Sequence, residues 1–337
     1  MQSYLQRERL AEVGINFFDN WAANFGETVT SLEMAPSGQG YKARTRFAKF
    51  TNLPELLTMY RRFADVQTQD MVKLQVPDVD RKTITLKPSD TVLELADEIA
   101  NRAEKINAGG VPPEEDNMLK VTSDGKKLAL DPRCFDRMAK DEEGSKLNEA
   151  AMRIFEIWQS TAETKGTQIV FCDLSTPKEA FEDYEYGKDF DVYNDLKYKL
   201  VQMGIPQEEI AFIHDANSDK AKQALFDKVN SGAVRVLIGS TEKCGAGTNV
   251  QERLFALHHL DTPYRPSDMQ QREGRIIRQG NTNKEVQIYT YVTERTFDSY
   301  SCAFTWIKTK KDGLPLSGMG SYTKANAELC LLAMRGQ

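Results

Sequence analysis

The fold turns on two neighbouring segments, Gln271-Arg272-Glu273-Gly274-Arg275-Ile276-Ile277-Arg278-Gln279-Gly280 and, ahead of it, Gly239-Ser240-Thr241-Glu242-Lys243-Cys244-Gly245-Ala246-Gly247-Thr248-Asn249. Arg275 and Arg278 stand three residues apart on a predicted helix over 266–278 and so share one face. The glycine-rich turn, about thirty residues earlier, lets backbone come close to a polyanion. Planar, permanently charged guanidinium forks suit the charge spread over a transferring phosphoryl group. Alone, such arginines read as a solvated helix face. The glycine turn, the strand between the segments and Pro263-Tyr264-Arg265-Pro266 just ahead weigh against that bland reading. No G-x-x-x-x-G-K-[ST] occurs in the sequence, so it lacks that phosphate cradle and its magnesium-holding hydroxyl.

Working outward, residues from 146 onward alternate between short apolar runs and helical patterns. Helix 146–164 leads to strand 168–172, a helical region 177–203 to strand 210–213, and helix 218–230 to strand 234–238. Strand 253–259, helix 266–278, strand 285–292 and helix 296–310 follow. This order predicts an α/β fold with a parallel sheet covered by helices on both faces. Ser240 and Thr241 then sit at the C-terminal end of a strand, where such sheets bind ligands. Gly245-Ala246-Gly247-Thr248-Asn249 is not a dinucleotide fingerprint, because Val250 stands where a third glycine is needed.

The N-terminal part is less regular. Leu5, Leu10, Val13, Phe17 and Trp21 suggest a helix over 3–25. Two strand-like runs flank a turn at 36–40, Asn52-Leu53-Pro54-Glu55 opens a helix to about Asp65, and the β-branched Thr83, Ile84 and Thr85 suggest an extended segment. A helix follows over 91–107, then the linker Gly109-Gly110-Val111-Pro112-Pro113, with further turns at Ser123-Asp124-Gly125 and Asp131-Pro132. The expected division is a mainly helical or mixed region 1–112, the α/β domain 113–312, and a helical extension 313–337.

Composition is that of a soluble globular protein, 40% hydrophobic and 28% charged over 337 residues, a length suited to two domains. No apolar run approaches the roughly 18 residues of a membrane span. A net charge of −6 gives no overall nucleic-acid footprint, although a lobe can grip one strand through a few local groups. Five cysteines without a C-x-x-C pair favour a reducing cytoplasm and argue against a zinc ribbon or a disulfide framework. His258 and His259 face opposite sides of a strand and cannot chelate one metal, so no metal site is expected. His214-Asp215 ends a strand and suits a loop role; Trp21, Trp158 and Trp306 read as core, and Lys308, Lys310 and Lys311 as a basic helix end.

On these motifs, residues 165–300 resemble the second RecA-like lobe of superfamily-two helicases, nearest the Swi/Snf branch. Thr167–Asp173 is similar to the motif that opens this lobe, Val236–Asn249 to motif V, and Leu257–Arg278 to the next strand and motif VI. Phe18-Asp19-x-Trp21-Ala22, Arg46-Phe47-x-x-Phe50, Asn52-Leu53-Pro54-Glu55-Leu56 and Asp116-Asn117-Met118-Leu119-Lys120 extend the likeness to phage- and plasmid-borne helicases often fused to DNA adenine methylases. The resemblance implies the C-terminal part of a longer bacterial or phage-encoded protein. ATP and Mg2+ would be held mainly by a first RecA-like lobe outside this sequence. It implies Arg278 as an arginine finger with Arg275 as its partner, and Gln271, Gly247 and Asn249 on the nucleotide side. Ser240, Thr241 and Lys243, with Cys172 and Asp173 after Phe171, would hold strand phosphates of DNA, and a fused methylase is a further partner. Tyr264-Arg265-Pro266 and Gly280-Asn281 replace the usual Trp-Asn-Pro and Gly-Gln, and no Asn-Pro-Pro-Tyr signature is present. Two rivals come from other classes: a non-catalytic RecA-like scaffold binding DNA or a methylase, and a Rossmann-type nucleotide enzyme.

Overall fold

The computed structural model describes residues 2–34, 41–65, 74–109, 111–112, 114–177, 180–187, 190–244, 248–263, 266–298, 304–307 and 327–330. They fall into two compact units, Met1–Leu74 with Phe304–Gln337, and Gln75–Ala303. This moves the expected first boundary from 112 to 74, because the extended segment read around Thr83 is a full strand of the main sheet.

The first unit contains the short helices α1 (Gln2–Leu5), α2 (Arg7–Glu12), α3 (Phe18–Phe25) and α4 (Leu53–Arg61). The single helix expected over 3–25 is broken at Gly14, whose φ of 71° is the left-handed conformation glycine adopts without strain. Strands β1 (Gly26–Met34) and β2 (Tyr41–Phe50) form an antiparallel pair on either side of the expected turn, which lies outside the described residues. Leu10, Ile15 and Phe25 form a small core with Trp21, Leu56 and Met59 against it. At the other end of the chain β9 (Phe304–Ile307) pairs antiparallel with β10 (Ala327–Cys330). Of the helix expected over 296–310, Phe297 and Asp298 are helical but 304–307 is strand, and within the helical extension expected over 313–337 the described residues 327–330 are strand; Lys308, Lys310 and Lys311 lie outside the described residues. The side chain of Trp306 lies outside them too.

The second unit is α/β, with a parallel sheet covered by helices. Its six strands are β3 (Asp78–Leu86), β4 (Thr167–Phe171), β5 (Ile210–Phe212), β6 (Val236–Gly239), β7 (Leu254–His259) and β8 (Glu285–Thr293). They run parallel in the order β3-β8-β7-β4-β6-β5. Every residue of β4 and β6 is buried, which is why Ile169–Phe171 and Val236–Ile238 are continuous apolar runs rather than alternating ones. On one face Val170, Val236 and Ile238 pack against α7 (Lys146–Ser160) and α8 (Val192–Met203). On the other, Ile169, Phe171 and Leu237 pack against α9 (Asp219–Ser231). Ser145, Asp191 and Ser218 cap these three helices with their side chains, and Gly204 and Gly232 close α8 and α9 in the left-handed conformation. α8 starts at Val192, so the helical region expected from 177 shrinks to its second half. Among the described residues no helix is long and apolar enough to cross a membrane.

Two further helices, α5 (Asp90–Asn107) and α6 (Met118–Leu130), pack through Val92, Ile99, Val121 and Leu128. Arg102 ties them together, 2.7 Å from Asp116 and 3.0 Å from Asp124. The turn expected at Ser123-Asp124-Gly125 is instead the middle of α6. A Cβ on Gly125 would lie 2.2 Å from the Phe297 ring, so this glycine provides room for an aromatic side chain rather than a chain reversal. Tertiary packing overrides the local turn signal.

His258 and His259 point to opposite faces, as their adjacent strand positions require. His258 is fully buried, with Nε2 3.0 Å from Gln168 Oε1 and Nδ1 2.9 Å from the Tyr291 hydroxyl. Gln168 donates its amide to Ile154 O, which fixes Oε1 as the acceptor and places the histidine proton on Nε2. Burial, aided by Arg153, pushes the His258 pKa down to about 3. The unfolded ring takes up a proton below about pH 6.5 while the folded ring stays neutral. The stability it contributes is complete above that pH and is lost as pH falls towards the folded value, by about 1.4 kcal/mol per pH unit. Urea midpoints between about pH 6.5 and pH 5 should therefore fall more steeply for the native chain than for His258→Gln. Parallel profiles would refute the assignment.

Candidate functional site

Three strand ends lie side by side. Phe171 pairs in register with Gly239 on one flank and His259 on the other, so the loops after β4, β6 and β7 leave one edge of the sheet together. Gly239 permits the second of these loops: a Cβ there would lie 2.4 Å from Cys244 Sγ and 2.8 Å from Ile213. The turn through residues 241–244 can thus fold back on its own strand, closed by Cys244 N–H to Ser240 O at 2.9 Å. Burial pushes the Cys244 thiol up to about 12, leaving it a packing group.

At the centre of this edge sits Arg272, on α10 (Pro266–Glu273), with its side chain wholly buried. Its Nη2 lies 2.8 Å from Asp173 Oδ2 and 2.9 Å from Asp261 Oδ1; Nη1 donates to Asp261 O at 2.8 Å and Nε to the Thr241 hydroxyl at 2.7 Å. The guanidinium also stacks over the Phe171 ring, 5.1 Å from its centroid. Burial opposes its charge, but Asp261 and Asp173 more than compensate and raise its pKa. Asp261 uses its other oxygen to accept the amides of Asp173 and Leu174 at 2.5 and 2.9 Å. Asp173 accepts the Thr241 amide at 2.6 Å and its hydroxyl at 2.8 Å. One guanidinium thereby ties all three loops to α10. Lys126 stands beside them, its amine donating to Thr262 O at 3.3 Å; burial lowers its pKa against the pull of Asp261 and Asp173.

The helix ends at Glu273, five residues earlier than expected, and tightens into turns through Gly280. Arg275 and Arg278 are therefore not on a helix face. They converge all the same, because both Nη1 atoms reach Thr248 O, at 3.5 and 3.3 Å. Both are half-buried, and neither has an acidic partner within ion-pair distance among the described residues. Burial, then repulsion from Arg278, lowers the Arg275 pKa. Two like charges held side by side by one weakly bonded carbonyl make a place that an anion would relieve.

The other expected residues divide. Gln271 is exposed and lines a narrow crevice with Phe171, Thr241, Cys244, Arg272 and Arg275. Asn249 is exposed at the end of the loop, its carbonyl taken by Asn230 at 2.8 Å. Lys243 is exposed beside Thr241, whereas Gly247, with Gly245 and Ala246, lies outside the described residues. Cys172 is corrected: its side chain is fully buried, its N–H donates to Gly239 O and its carbonyl accepts the Tyr193 hydroxyl, so nothing on it is open to a strand. Ser240 is also buried, its hydroxyl accepting the Lys243 amide at 3.3 Å. Arg272 and Asp261 escaped the sequence reading. The spacing of Met269, Arg272 and Ile276 was the available signal, for it places Arg272 on the stripe that ends in fully buried Ile276. Among the described residues no group of histidine, cysteine and acidic side chains is placed to hold a metal ion.

Residues 155–280, which contain this whole edge, match the family model of the helicase conserved C-terminal domain. Among solved structures, the C-terminal part of the Fun30 ATPase domain is similar at 13% identity over 71% of this chain and 93% of that one, with a TM-score of 0.49. The Sulfolobus solfataricus SWI2/SNF2 ATPase core in complex with dsDNA is similar at 15% identity over 71% of this chain, with a TM-score of 0.43; this chain spans 47% of its length. No curated protein matches the chain.

Proposed function

We propose that Gln75–Ala303 is the second motor lobe of an ATP-driven DNA helicase or translocase. The observation that carries this reading is the pair of guanidiniums, Arg275 and Arg278, gathered on Thr248 O with no carboxylate partner among the described residues. Such a pair fits the charge of a nucleotide triphosphate presented from outside the lobe. The helicase C-terminal match over residues 155–280 supports the reading. In it, Arg278 is the arginine finger and Arg275 its partner, Gln271 and Asn249 flank the nucleotide, and Lys243 and Thr241 face the strand. A first lobe of the same protein holds most of the ATP and its Mg2+, whose chemistry when bound is to neutralise phosphate charge. DNA is the polymer on which closure of the two lobes acts.

The test is hydrolysis. The purified chain should turn over no ATP by itself, and the same chain joined to the ATP-gripping lobe of its own protein should turn over ATP faster when DNA is added. Steady turnover from the chain alone would overturn the split of labour. A joined protein that binds DNA but never hydrolyses ATP would make the lobe a non-catalytic scaffold.

A further inference from the structure

Thr241 offers an oxyanion two donors on one residue, its backbone N–H and its hydroxyl, and Arg272 adds a third through Nη2. A single carboxylate takes all three: Asp173 Oδ1 lies 2.6 Å from the Thr241 amide, and Oδ2 lies 2.8 Å from both the Thr241 hydroxyl and Arg272 Nη2. These donors form a small oxyanion hole filled by the chain's own side chain. The two acids around Arg272 differ in what holds them. Asp261 is 8% exposed, and its second oxygen is committed to two loop amides. The Asp173 side chain is 35% exposed, so it enters the hole from the solvent side.

We propose that this hole is a binding site for a strand phosphate and that Asp173 is its gate. In the strand-free lobe the carboxylate occupies the hole; a phosphate displaces it. Rotation of one side chain suffices for the exchange, because the Asp173 backbone N–H stays on Asp261 Oδ2 and keeps the loop in place. Arg272 also keeps a counter-ion throughout, since Asp261 does not move away with the gate. Closure of the gate reduces strand affinity to its intrinsic value multiplied by the fraction of time the hole is open. It also lets the Arg272 segment, which leads directly into Arg275 and Arg278, sense whether a strand is present. The identification of the anion as a strand phosphate rests on the motor reading; the hole itself does not.

Asp173→Ala in the full chain tests the gate with two probes. Labelled duplex and single-stranded DNA, followed by fluorescence anisotropy, should bind roughly tenfold tighter than to the native chain, the worth of charge-assisted bonds to freed donors. The salt dependence should steepen by about one phosphate contact. Inorganic phosphate should raise the variant's melting temperature more than the native chain's. Thr241→Val added to Asp173→Ala removes one of the three donors and should shrink both gains. Should Asp173→Ala fold poorly, Asp173→Asn keeps the side-chain volume and an acceptor for the Thr241 amide, and a smaller gain of the same sign is expected. Equal or weaker binding of both probes overturns the gate. A gain with inorganic phosphate and none with DNA overturns the strand assignment. Failure of the joined protein to hydrolyse ATP bears on the motor reading alone, since neither probe needs turnover.

Discussion

Arg272→Met should destabilise the second unit by roughly 3–5 kcal/mol, the usual cost of removing one partner from a buried ion pair. The residue has no exposed side-chain surface, and its fork serves Asp261, Asp173 and Thr241 from three loops at 2.7–2.9 Å. Methionine fills much of the same space but leaves the buried Asp261 carboxylate with only amide partners. Asp173, at the surface, can turn to water and contributes less to the loss. Arg272→Lys keeps the charge, yet a single ammonium cannot reproduce the planar spread of donors, and an intermediate loss is expected. Asp261→Asn should also destabilise, and the Arg272→Met, Asp261→Asn double variant should lose less than the sum, with a coupling of about 0.5–3 kcal/mol. Urea unfolding of the full chain measures all four variants. Arg272→Met within about 0.5 kcal/mol of the native chain, the range of ordinary surface substitutions, would show that the network contributes little.

That this arginine went unread shows where sequence reasoning stopped. The strands from residue 167 onward were legible because a parallel sheet buried on both faces writes itself as unbroken apolar runs such as Ile169-Val170-Phe171. Arg272 reads as surface because charge normally means exposure. Its burial is set by acids 99 and 11 residues away, which local pattern does not display. Gly125 reads as a turn until Phe297, brought in by the fold, is seen to need its missing side chain. Around Thr83 the β-branched run showed an extended segment but not its partner β8, and so the unit boundary was placed too late. At the candidate site, convergence of Arg275 and Arg278 was legible from their spacing, although turns rather than a helix produce it. The sealing of Cys172 was not, since it depends on Tyr193 and on the neighbouring strand.

Under the motor reading, Arg278→Ala in the protein joined to its first lobe should lower ATP turnover by roughly 10³–10⁵. The opposite signature from Arg272 is what makes this informative. Among the described residues Arg278 has one hydrogen-bond partner, a carbonyl at 3.3 Å, and shares it with Arg275 at 3.5 Å. Little native-state stability is stored in such long bonds, and removing one of two adjacent like charges relieves repulsion. Arg278→Ala should therefore stay within about 0.5 kcal/mol of the native chain in urea, and DNA affinity should change by no more than about twofold. Arg275→Ala should share the turnover defect, because the pair presents its charge jointly, and Arg278→Lys should recover only part of the rate, since a point charge replaces a fork. A site whose residues are held by strain of like charges, and which gains nothing in stability from them, is one that awaits an anion. Normal turnover in Arg278→Ala would remove that residue from the chemistry, and a matching loss of stability would make it a structural arginine like Arg272.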